Sequence, residues 1–128
     1  MRLLLDTHVA LWAITDDRRL PRAARALIAS SENSIHVSAV TVWEIALEHA
    51  RYPAGMPVSG GDALRWFRES GYPMLDVTPD HAAHLESLPR LHAAPFDRML
   101  VAQALVEPLR LMTRDADVAR YGEMIMLI

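Results

Sequence analysis

The chain has 128 residues, with 16 Asp plus Glu against 13 basic residues that are all Arg, and it contains neither Lys nor Cys. The missing Lys excludes the usual forms of P-loop nucleotidases, Schiff-base enzymes, phosphoryl-aspartate receivers and haloacid-dehalogenase-like phosphatases; the missing Cys excludes disulfide frameworks, thiol nucleophiles, iron-sulfur clusters and zinc fingers. A formal net charge of -3 argues against a module that coats nucleic acid with a basic surface, while 52% hydrophobic residues supply apolar material for one packed domain spanning 1–128.

The chain opens on the apolar run Leu3-Leu4-Leu5, which predicts a buried strand. Asp6 and His8 break that run far short of a signal peptide or membrane span, so a cytoplasmic protein is expected. Pro21 opens a helical pattern at a first-turn position, with Ala23, Ala24, Leu27 and Ile28 as its apolar stripe. Ile35 to Val37 has strand character, and a helix follows from about Thr41 to Arg51. Tyr52 to Gly61, rich in Pro and Gly, predicts a long loop, and Asp62 to Ser70 a helix stopped by Gly71. Met74 to Val77 is a third strand, and Pro79 to Leu88 a fourth helix. Asp97 to Glu107 is a fifth helix, stopped by Pro108, before strands at Leu109 to Met112 and Met124 to Ile128. Strands alternating with helices of this length predict an α/β fold with a mainly parallel central sheet.

Four acids recur at corresponding places in this alternation. Asp6 ends the first strand, Glu44 lies one turn into the helix after the second, Asp97 starts a helix, and Asp115 follows the fourth strand. Ligand sites in open parallel sheets lie at the carboxyl ends of the strands. Each acid also has a structural role open to it: Asp6, Asp97 and Asp115 can cap helices, and Thr41-Val42-Trp43-Glu44 fits a capping box. Asp6 and Glu44 nevertheless sit in apolar surroundings, and a cluster of unneutralised carboxylates needs a partner. In a chain without Lys, a divalent cation is the economical one, and hard oxygen donors favour Mg2+ or Mn2+ over zinc.

Other polar residues carry weaker signals. His81 and His84 fall one turn apart with His92 beyond, without the spacing of a zinc site, and suggest a solvated helix face. Ser38 and Thr113 lack the surroundings of a hydrolase nucleophile. Arg18, Arg19, Arg22 and Arg25 form a charge run on or before one helix face. Trp12, Trp43, Trp66 and Phe67 sit within apolar helical periods, as core or interface anchors.

The four segments Leu5-Asp6-Thr7-His8, Ser38 to Ala46 with Trp43-Glu44-Ile45, Pro95-Phe96-Asp97-Arg98 to Ala104, and Thr113-Arg114-Asp115 together resemble the PIN domain family. More narrowly, the chain is similar to the VapC-type toxins of bacterial toxin-antitoxin modules, over essentially its whole length. The resemblance implies a three-layer α/β/α sandwich and a Mg2+- or Mn2+-dependent endoribonuclease toxin. It also implies a dimer, held inactive by a cognate antitoxin protein and cleaving RNA through a metal-activated water. Asp6, Glu44 and Asp97 match the first three acidic positions of the family and Asp115 the fourth, with Asp117 as the alternative there. Thr7, Ser38 and Thr113 match supporting polar positions. Ala94 departs from close relatives, which often carry a further Asp before this Pro-Phe-Asp-Arg stretch, and so bears on whether one metal or two are held. Arg98 and Arg114, each beside an acid, are candidates for contacts to substrate phosphate. A PIN-like module that binds RNA or protein without cutting, and a different metal-dependent phosphohydrolase, are the competing classes. Without the four acids, 12 carboxylates face 13 Arg, a formal +1, so the negative excess belongs to one site.

Overall fold

The computed structural model describes all residues, 1–128. The chain runs β1 (Arg2–Leu5), α1 (Thr7–Thr15), α2 (Arg22–Ala29), β2 (Ser34–Ser38), α3 (Ala39–Arg51), α4 (Gly60–Glu69), β3 (Met74–Leu75) and α5 (Pro79–His84). A 3-10 turn (Leu85–Ser87) follows, then α6 (Pro95–Val106), β4 (Arg110–Thr113), α7 (Ala116–Ala119) and β5 (Ile125–Leu127). The strands form one sheet in the order β3-β2-β1-β4-β5, and every neighbouring pair is parallel.

The alternation of side chains along β1 explains its unbroken apolar sequence. Leu3 and Leu5 enter one core with Ile35, Val37, Met112 and Phe67, whereas Leu4 enters a second with Leu100, Val101, Leu111 and Ile125. All three leucines are fully buried, which is the expected state of a central parallel strand covered on both faces. Helices α1, α2 and α4 supply residues to the first core and α6 and α7 to the second, giving the α/β/α layering. Helix α3 serves both, through Ile45 on one side and Val40 on the other. No helix is long and apolar enough to cross a membrane.

Several boundaries differ from the expectation for local physical reasons. The Ser38 hydroxyl accepts from the Val40 N–H, so α3 starts at Ala39, and Thr41 and Glu44 do not form a capping box. Ser59 caps α4 from Asp62 N, which draws Gly60 and Gly61 out of the expected loop into the helix. Helix α6 begins at Pro95, placing Asp97 inside the first turn instead of at the cap. Pro21 sits one position before α2 proper, and β3 is only two residues long.

One environment in this region differs from the expectation. His81 is fully buried and not on a solvated face: its Nδ1 accepts from the Thr78 N–H, and its Nε2 lies 2.5 Å from a Glu107 carboxylate oxygen. Only the packing of α5 on α6 creates that environment, so sequence periodicity does not reveal it. Of the expected core or interface anchors, Phe67 is fully buried, Trp12 packs partly against the first core, and Trp43 is 58% exposed and lies edge-on to Phe96, outside the core.

The end of α4 follows its glycine: Gly71 takes a left-handed φ of 79° just beyond the helix. Gly60 has a different function, because a Cβ built there would lie 2.8 Å from the Ala46 Cβ. Close approach of α4 to α3 depends on its absence. Gly60→Ala is expected to cost about 1–3 kcal/mol by overpacking, read as a lower urea midpoint at unchanged m-value, whereas Gly61→Ala, with open space around it, should not.

Candidate active site

The sheet order places the chain's reversal between β1 and β4. From β1 the chain moves outward through β2 and β3, then returns to the other side of β1 with β4. Such a reversal opens a crevice at the carboxyl ends of the two central strands. Asp6 follows β1 directly and Asp115 follows β4 by two residues, so both stand at that crevice. The first turn of α6 brings Asp97, and α3 brings Glu44.

Asp6 is the deepest of the four, at 7% exposure. Its Oδ1 accepts from the Val9 N–H at 2.9 Å, capping α1, and its Oδ2 accepts from the Thr113 hydroxyl. Thr113 in turn accepts from the Asp115 N–H at 3.0 Å, tying β4 to the start of α7. On the other side Thr7 donates to Glu44 Oε1 at 2.6 Å. Thus Thr7 and Thr113 hold two of the carboxylates, and both threonines are buried. Ser38 does not touch an acid; its hydroxyl caps α3 and donates to Gln103 Oε1 at 2.6 Å, fastening α3 to α6.

The acids sense one another. Burial pushes the Asp6 carboxyl up, and the charge of Asp97 adds to this, while the hydrogen bonds from Thr113 and Val9 pull it back. Burial likewise raises Glu44, against the Thr7 hydrogen bond, and Asp97 and Asp6 raise it further. Asp97 is raised by burial and then by Asp115, with His92 opposing. Asp6, Glu44, Asp97 and Asp115 therefore share one electrostatic neighbourhood. Asp117 does not figure in it: this exposed residue lies 3.7 Å from Arg120, and its N–H donates to Asp115 Oδ1.

No Arg forms an ion pair with Asp6, Glu44 or Asp97; the positively chargeable groups acting on them are His8 and His92. Buried carboxylates without a basic partner form a donor set suited to a hard divalent cation. As the side chains stand, no three converge into a ready-made cage. Capping does not prevent ligation, because a carboxylate offers about four lone-pair directions and the caps use only part of them.

Arg98 and Arg114 take different positions. Arg98 lies against Tyr121, with its Nη1 donating to the Tyr121 hydroxyl at 2.8 Å and to the Pro89 carbonyl at 2.9 Å. Arg114 sits over the Trp12 ring and donates to the Arg19 carbonyl at 3.3 Å, turned toward α1. Neither forms an ion pair with a carboxylate.

Two further residues belong to the neighbourhood. His92, half-buried and not on a solvated face, has Nε2 3.5 Å from Asp97 and shares a 2.8 Å hydrogen bond between Nδ1 and the Tyr121 hydroxyl. No local pattern marks it, since the loop before α6 meets α7 only in the folded chain. Gln103 does leave a signal: it is the one Gln of the sequence, alone among Val101, Ala102 and Ala104, where an amide demands a buried partner.

Residues 3–124 match the family model described as the PIN domain. The chain is 31% identical over 118 residues to a protein of Mycobacterium tuberculosis (strain ATCC 25618 / H37Rv) named Ribonuclease VapC22, covering 88% of this chain and 86% of that one. Among solved structures it is similar to VapBC2 from Rickettsia felis bound to a DNA fragment from its promoter, with a TM-score of 0.73, 16% identity, and coverage of 100% and 98% of the two chains. A toxin-antitoxin complex from Klebsiella pneumoniae matches with a TM-score of 0.66 and 20% identity, covering 97% of this chain and 95% of that chain. FitAcB from Neisseria gonorrhoeae matches with a TM-score of 0.59 and 23% identity, covering 91% and 89%.

Proposed function

The chain belongs to the PIN domain family, and from that membership and the acidic crevice we propose that it is a divalent-metal-dependent endoribonuclease acting as the toxin of a toxin-antitoxin pair. The observation that carries this proposal is the group of raised carboxylates, Asp6, Glu44 and Asp97, with no Arg among them, at the switch point of a parallel sheet. Sequence similarity to a named ribonuclease over most of the chain supports RNA as substrate. Likeness to toxin-antitoxin complexes supports an antitoxin as protein partner, and a homodimer is part of the same proposal.

Asp6, Glu44, Asp97 and Asp115 would hold Mg2+ or Mn2+. The ion would supply Lewis acidity, lowering the pKa of a coordinated water and offsetting charge on the phosphate oxygens. The chain's own residues set the geometry. Thr113 and the Val9 N–H fix both oxygens of Asp6, so this carboxylate is oriented before substrate arrives. Thr7 fixes Glu44 Oε1 and leaves Oε2 without a protein donor, free to accept a hydrogen bond from the attacking water. Gln103 and Ser38 keep α3 and α6 in register, which fixes the spacing between Glu44 and Asp97. Hydrolysis by in-line attack leaves a 5′-phosphate and a 3′-hydroxyl.

Incubation of the purified chain with single-stranded RNA tests this. Cleavage is expected with Mg2+ or Mn2+, not with EDTA, and the products should carry 5′-phosphates. Binding without cutting would assign a non-catalytic module instead, and cutting in EDTA would remove the metal from the mechanism.

A further inference from the structure

Beside the acids lies a cleft of about 520 Å3 lined by Arg90, His92, Ala93 and Arg98. The His92 ring separates it from the crevice, with Nε2 buried, 3.5 Å from Asp97 on one side and without a hydrogen-bond partner. The loop carrying Arg90 is braced at both flanks: Arg98 Nη1 donates to the Pro89 carbonyl at 2.9 Å, and Arg120 Nη1 to the Leu91 carbonyl at 3.4 Å. The two guanidiniums in the cleft are not neutralised. Neither Arg90 nor Arg98 pairs with a carboxylate, although Asp97 directly precedes Arg98 in the chain. Arg98 uses only Nη1 on the protein and leaves Nε and Nη2 free.

We propose that this cleft is a phosphate subsite, in which Arg90 and Arg98 bind the RNA backbone phosphate next to the scissile one. The proposal rests on RNA being the substrate and specifies how the strand is held. A planar guanidinium with free donors forms paired, charge-assisted hydrogen bonds to phosphate oxygens. The braced loop fixes the backbone at Arg90, so binding has to order its side chain alone. The cleft also answers an electrostatic difficulty. A polyanion approaching four carboxylates is repelled, and a cationic grip beside Asp97 offsets that repulsion on the side where the strand continues.

Arg90→Ala is the informative variant, because Arg90 is exposed and makes no hydrogen bond or ion pair whose loss would disturb folding; Arg98→Ala would also free Tyr121 and the Pro89 loop. With labelled single-stranded RNA in Mg2+, both anisotropy binding and cleavage are measured across a salt series. Arg90→Ala is expected to raise Kd and KM about five- to tenfold, leave kcat within about twofold, and reduce the slope of log Kd against log salt by about 0.7, the contribution of one phosphate contact on a single strand. Arg90→Glu should weaken binding further, and Arg51→Ala, on the exposed end of α3, should change nothing. Cleavage with KM and salt slope indifferent to Arg90 overturns the subsite and leaves the ribonuclease standing. Binding that depends on Arg90 without cleavage upholds the subsite and overturns the ribonuclease.

Discussion

Asp97→Asn is expected to lower RNA cleavage by about 10³-fold or more and, in the metal-free protein, to raise the melting temperature. Both effects have one cause. Asp97 lies where burial and the charges of Asp115 and Asp6 oppose its ionisation, against the opposing influence of His92 and His8. Neutralising it removes a ligand and a repulsion together, so the metal-free protein gains stability. Asp6→Asn should also abolish cleavage but gain less stability, because both Asp6 oxygens accept hydrogen bonds and an amide offers only one acceptor. Parallel cleavage assays and thermal melts in EDTA check the pair. Full activity in Asp97→Asn would remove it from the site, and a lower melting temperature would show that its charge is not opposed as described.

Metal ion and pH should act on stability in opposite directions. The folded-state values of Asp6, Glu44 and Asp97 lie above their ordinary values of 3.8, 4.5 and 3.8. These groups therefore favour folding fully below about pH 4, and their contribution is lost as pH rises through the raised values. A divalent ion that binds only the folded, ionised set reverses this. At a hundredfold excess over Kd it adds about 2.7 kcal/mol, a rise of roughly 10 °C for a chain of this size. The shift with Mg2+ or Mn2+ should be larger at pH 7.5 than at pH 5, because ligation requires deprotonated carboxylates. Thermal melts at both pH values, with and without metal, measure it. An equal shift in Asp97→Asn would place the ion elsewhere.

The legibility of this molecule varies with the range of the interactions involved. Leu3-Leu4-Leu5 reads as a doubly covered strand because the strand period and burial are properties of adjacent residues, and the parallel sheet follows from the alternation of strands with helices. The burial of two acids was legible too, since Asp6 ends an apolar run and Glu44 interrupts one. Helix starts were less legible. Ser38, Ser59 and Pro95 set the first turns of α3, α4 and α6, and each competes with a nearby Thr, Gly or Asp that satisfies the same local rule.

What the sequence by itself determined was the inventory: strands with two apolar faces, four acids at strand or helix junctions, and no Lys or Cys to serve a rival chemistry. What only the tertiary structure decided was which of these groups meet. Leu5 pairs with Met112 across more than a hundred residues, a register that brings Thr113 onto Asp6, while the packing of α6 puts Asp97 within range of Asp115. The same packing buries His81 against Glu107, turns Arg114 onto Trp12, and sets His92 between Asp97 and a cleft with two unpaired arginines. Propensity, capping and period act over a few residues and are written along the chain, whereas burial and electrostatic coupling depend on distances that exist only once the sheet has closed its neighbours together.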